Sequence, residues 1–72
     1  MDEFVKVTFP SQRQVYVNGK PCGFTNDVIQ VQTGTHTFDL GTARNYQPPS
    51  QTVRVTGTLP TQPKIIAFQS II

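Results

Sequence analysis

The sequence has one cysteine, one histidine and no tryptophan, and only 14% of its 72 residues are charged. Each shortage removes a class of protein. A single thiol, Cys22, cannot close an internal disulfide. With His36 as the sole histidine, a zinc site built from four Cys and His ligands is excluded. The four carboxylates are Asp2, Glu3, Asp27 and Asp39, and only the first two are neighbours. Glycoside hydrolysis needs two opposed carboxyls in a cleft, and calcium needs several oxygens clustered in one loop, for which Asn26-Asp27 is too little. No metal or cofactor is expected, and the chain reads as a non-enzyme.

Positive charge is equally thin. Lys6, Arg13, Lys20, Arg44, Arg54 and Lys64 are scattered, no two adjacent, and the net charge is +2. A nucleic-acid binder clusters its basic residues, so that class is set aside. The longest apolar run, Ile65-Ile66-Ala67-Phe68, is far too short to cross a bilayer. No basic segment precedes an apolar stretch at the N-terminus, so no signal peptide is expected. At this length the chain is one domain, residues 1–72. A domain so small buries only roughly 60% of the surface its unfolded chain exposes, so its few apolar residues must nearly all pack or be helped by a partner.

What the sequence does have is alternation with a period of two. Val5, Val7 and Phe9 define a first strand ended by Pro10-Ser11. Val15 and Val17 define a second, closed by Asn18-Gly19, a hairpin pair in which both residues tolerate positive φ. Pro21-Cys22-Gly23 leads to Phe24 as an edge or turn, since Pro21 has no N–H to give a ladder. Ile29 and Val31 mark a third strand, and His36, Phe38 and Leu40 a fourth after Gly34. Residues 41–50, with Gly41, Asn45, Pro48 and Pro49, read as a loop. Val53 and Val55 make a fifth strand. Lys64 to Gln69 make the last, apolar on both faces and so expected at the centre of a sheet or under a neighbour. Six or seven short strands at this spacing predict an all-β fold, a small antiparallel β-sandwich.

Several of these pieces occur in a familiar order. Val15-Tyr16-Val17-Asn18-Gly19-Lys20-Pro21-Cys22-Gly23, Val31 to Phe38, Asn45-Tyr46-Gln47-Pro48 and Gln51 to Val55 together resemble the PEGA domain, over roughly residues 4–69. Three places depart from the family pattern. Thr25-Asn26 stands where the family has Thr-Pro, Gln32 to Thr35 where it has Pro-Glu-Gly-Ala, and Asn45 where it has glycine before the tyrosine. The resemblance implies a surface-layer-like or carbohydrate-associated β-sandwich module, often repeated in extracytoplasmic proteins of bacteria and archaea, with no catalytic set. A piece of such a protein would lie outside the cytoplasm, whereas a chain complete as written would be cytoplasmic.

Each candidate contact residue has a packing role beside it. His36 shares its face with Phe38 and Leu40, and a neutral ring bonded to a backbone carbonyl is favoured over a base or ligand. Cys22 is expected to act as a small hydrophobe. Tyr16, Phe24 and Tyr46, with Arg44 nearby, could form an aromatic platform for a sugar or peptide, against the plainer role of filling sandwich corners. The hydroxyl of Tyr46 is expected to reach solvent or a backbone carbonyl. Ile71 and Ile72, beyond the last strand, invite packing against a partner or a second copy. Unpaired sheet edges add to that invitation. The chain is therefore expected to be a structural or interaction module with a protein partner or self-association. A carbohydrate-binding module and a small adaptor or inhibitor are the alternatives.

Overall fold

Period-two stretches fold as strands here because one face of each carries the apolar side chains and the other carries Thr, Gln or Lys. A computed structural model describes residues 2–42 and 45–71. In chain order the strands are β1 (Asp2–Thr8), β2 (Gln14–Val17), β3 (Lys20–Phe24), β4 (Val28–Gln32), β5 (Gly34–Asp39), β6 (Tyr46–Gln47), β7 (Gln51–Val55), β8 (Lys64–Ala67) and β9 (Gln69–Ser70). They form a three-stranded sheet in the order β4-β1-β8, a four-stranded sheet in the order β3-β2-β5-β7, and a short ribbon of β6 with β9. Among the described residues there is no helix. The fold is the expected all-β sandwich.

The core lies between the two larger sheets. Val5 and Val7 of β1, Val15 of β2, Phe38 of β5 and Val55 of β7 are wholly buried, and Ile29, Val31 and Ile66 come from the flanking strands. Phe9, Tyr46 and Phe68 close one end, Tyr46 meeting the other two rings edge-on at centroid distances of 6.5 and 5.6 Å. Burying a large aliphatic or aromatic side chain contributes about 1.5–3 kcal/mol, so this cluster supplies most of the folding drive.

The Asn18-Gly19 turn joins β2 to β3 with φ of 54° and 82°, as its sequence predicts. β3 is an edge strand, consistent with Pro21. Gly23 has φ of 85°, and a Cβ placed there would come within 2.9 Å of the Ile29 side chain, so β3 passes β4 as closely as it does because that side chain is missing.

Three expectations are corrected. The segment 41–50 is not wholly loop, because Tyr46-Gln47 pairs with Gln69-Ser70. The last strand is not central: β8 ends at Ala67 and lies at the edge of its sheet, with Ile65 54% exposed and only Ile66 and Phe68 buried. Its second apolar face looks outward instead of under a neighbour. β8 also pairs with β1 in parallel, so the sandwich is antiparallel everywhere except at this pair.

Candidate functional site

Two places carry unspent recognition chemistry: the sheet edges and a cleft at the β6 end. The edges differ in how they are closed. β3 carries Pro21, Gly23 and a register shift against β2, all of which discourage strand addition. β8 follows Pro63 and begins with Lys64, and its Ala67 carbonyl accepts a hydrogen bond from Gln51 Nε2 of β7 at 2.6 Å. That bond ties the edges of β7 and β8 together, and β7 adds Arg54. β4 is tied only at its last residue, through the Gln32 carbonyl, which accepts from His36 Nε2 of β5. Its sequence, Val28-Ile29-Gln30-Val31-Gln32, contains no proline, glycine or charge.

The direction of the main-chain groups on β4 follows from β1. Val7 turns its carbonyl toward β4, where it accepts from Asn26 N–H at 2.7 Å. Thr8 turns its carbonyl toward β8 and accepts from Phe68 N–H at 3.0 Å. By alternation, Glu3 and Val5 face β4 with their partners Val31 and Ile29. Val28, Gln30 and Gln32 then point their N–H and C=O groups away from the sheet. The Gln32 carbonyl accepts from His36 Nε2 at 2.7 Å. Val28 is 47% exposed, and the register sets it in one row with half-buried Lys6 and exposed Ile65 across the outer face.

The cleft of about 410 Å³ is lined by Tyr16, Gly19, Asp39, Gly41, Tyr46 and Pro49, among others. Tyr16 is half-buried there. Asp39 is half-buried and accepts from Gly41 N–H at 2.9 Å. Tyr46 is only 4% exposed and donates its hydroxyl to the Gly41 carbonyl at 2.7 Å, so its ring belongs to the core and is corrected as a contact residue. Phe24 is 46% exposed and stands opposite Gln14; with Tyr46 in the core, the three rings do not form one exposed platform. Ile71 is 53% exposed and gives its N–H to the Asn45 carbonyl at 3.1 Å. Arg44 and Ile72 lie outside the described residues.

His36 is half-buried and bonded at both ring nitrogens. Asn18 Nδ2 lies 3.0 Å from Nδ1, so Nδ1 accepts and Nε2 donates to the Gln32 carbonyl, the bonding expected of a structural histidine. Cys22 is half-buried against the core.

Sequence reasoning missed two buried polar assemblies. Arg13 lies over the rings of Phe9 and Tyr46, at 5.6 and 5.1 Å from their centroids, and donates to the Leu40 carbonyl at 2.9 Å and to Asn45 Oδ1. Its main chain is held by Thr25, which is 1% exposed: Thr25 Oγ1 accepts from Arg13 N–H and donates to the Ser11 carbonyl, both at 2.8 Å. Next to it Asn26, at φ of 67°, donates Nδ2 to the Phe9 carbonyl at 2.9 Å and accepts from Phe9 N–H at 3.4 Å.

The second assembly surrounds Glu3, which is 3% exposed. Its carboxylate accepts from Thr58 Oγ1 at 2.6 Å, Thr58 N–H at 2.9 Å and Thr33 Oγ1 at 2.7 Å. The Thr58 hydroxyl bond, then that of Thr33 and the Thr58 amide, hold the carboxyl down to about 2, against a small opposing effect of burial. Both groups are structural. Among the described residues no buried side-chain polar atom lacks a hydrogen-bond partner.

Comparison with curated proteins and with solved structures returned no significant match. The family model of the PEGA domain matches residues 6–64, most of the chain. That span runs from the end of β1 to the first residue of β8 and includes the whole four-stranded sheet together with β4. The chain belongs to the PEGA domain family.

Proposed function

We propose that this PEGA domain is a non-catalytic interaction module that takes a strand of another polypeptide along β4. The observation that supports it is the contrast between edges: β3, β7 and β8 are guarded or tied, whereas β4 has no proline, bulge or charge and is tied only at the Gln32 carbonyl, which leaves the outward groups of Val28 and Gln30 on offer. Main-chain bonds supply affinity in this mode, and alternate side chains supply selectivity. The exposed row of Val28, Lys6 and Ile65 lies beside the same edge and widens the contact.

Gln30→Pro is the informative variant. The Gln30 N–H points away from β1, so proline there spares the internal ladder and blocks an incoming strand. Protein captured from the native source by the wild-type chain should be lost with Gln30→Pro, and the amides of Val28 and Gln30 should gain hydrogen-exchange protection in the complex. Capture that is indifferent to Gln30→Pro overturns the reading.

A carbohydrate-binding role is the second reading. It is supported by the half-buried Tyr16 ring, which shares a cleft with the Asp39 carboxylate. An aromatic face beside hydrogen-bonding groups suits a sugar.

A further inference from the structure

We propose that the strand received by β4 is the β4 of a second copy, paired antiparallel about a twofold axis through Gln30. This rests on the reading of β4 as an open edge and adds the identity of its occupant. A twofold normal to the sheet is the operation that closes a dimer while keeping outer face beside outer face, and it makes the two edge strands antiparallel. Self-pairing on Gln30 sets Val28 opposite Gln32 of the second copy, Ile29 opposite Val31, and Gln30 opposite itself.

Three features of β4 suit that pairing. The outward main-chain groups belong to Val28, Gln30 and Gln32, which are the positions that meet in hydrogen-bonded pairs in this register, with the Gln32 carbonyl, already accepting from His36 Nε2, using its second lone pair. Ile29 and Val31 are 5% and 7% exposed, so the cross-copy apolar pair prolongs the existing core face. On the outer face, β1 places Lys6 beside Val28 and Asp2 beside Gln32, where Gln32 Nε2 donates to Asp2 Oδ1 at 3.0 Å. The two rows flanking the axis therefore each have a cation at one end and a carboxylate at the other, the central row of Phe4 and Gln30 is uncharged, and no like charges face each other. The two three-stranded sheets would become one continuous sheet.

The twofold gives the test its form. Sedimentation equilibrium over a concentration series, in reductant so that Cys22 cannot cross-link, should show a monomer–dimer equilibrium for the wild-type chain. Gln30→Lys and Gln30→Glu each place like charges opposite each other on the axis, and each should weaken the dimer on the order of fivefold. An equal mixture of the two should restore it, because Lys then meets Glu. Gln30→Pro should leave a monomer, and circular dichroism of all three variants checks that each still folds. A wild-type monomer at every concentration overturns self-pairing, with capture of a different strand still judged by the Gln30→Pro experiment above. A dimer that ignores all three substitutions, or a mixture no tighter than its parts, places the joint elsewhere and also overturns it.

Discussion

Replacing Thr25 by valine removes one oxygen and leaves the shape of the side chain nearly unchanged, which makes its cost readable. The hydroxyl lost is the one that accepts from Arg13 N–H and donates to the Ser11 carbonyl, at 2.8 Å each. Ser11 is exposed and its carbonyl can turn to water, whereas Arg13 is half-buried. Taking the acceptor from one such group costs roughly 1–3 kcal/mol. A chain of 72 residues has about 4–11 kcal/mol of stability in total. At this size each kcal/mol moves the melting temperature by about 4–8 °C, so Thr25→Val should melt roughly 5–20 °C below the wild type. Thermal unfolding followed by circular dichroism, with urea midpoints as a check, measures this. Thr25→Ser keeps the oxygen, loses a methyl and should fall between the two. If Thr25→Val melts with the wild type while Thr25→Ser melts lower, methyl packing holds this corner and the hydrogen-bond argument fails.

The Glu3 carboxyl is held at about 2 against an ordinary 4.5, so its stabilising effect is complete above pH 4.5 and drains away as pH falls toward 2. Urea midpoints of Glu3→Gln should accordingly be lower than wild type at neutral pH and should converge with it in acid; parallel curves would refute the assignment. Gly23→Ala forces an L side chain into positive φ against Ile29 and should cost roughly 1–2 kcal/mol from the backbone alone, read from the same denaturation curves. Phe38→Ala empties a fully buried site and should cost about 3–5 kcal/mol, enough to leave the domain largely unfolded by circular dichroism at 37 °C. If the second functional reading holds, glycan-array binding should disappear with Tyr16→Ala and survive Phe24→Ala; an array without any bound saccharide removes that reading.

Strand content was legible because alternation needs no partner to be seen: Val5-Val7-Phe9 and Val53-Val55 point at a core wherever that core lies. What a single period cannot encode is which strand becomes the neighbour. Ile65 and Ile66 look equally apolar in the sequence, yet only Ile66 faces the core, because β8 joins β1 at the rim of the sheet. Tyr46-Gln47 forms a strand only because Gln69-Ser70 arrives from far along the chain. The Glu3 and Thr25 assemblies are likewise non-local, Glu3 meeting Thr58 across β2 to β7 and Thr25 meeting Arg13 across β2 and β3. The β4 edge was partly legible after the fact: Val28 to Gln32 has no guard residue, but that absence acquires meaning only once the strand is known to be terminal in its sheet.

Asn26 has a bearing on how this chain could be engineered. The family pattern that the sequence resembles carries proline at that position, and a designer following that pattern would install it. Proline is fixed near φ of −65°, on the wrong side of zero for the backbone found here, and it would discard both amide bonds to Phe9. At this position the popular residue is the damaging one. Here a side-chain clasp closes the corner, and a rigid ring could not take its place.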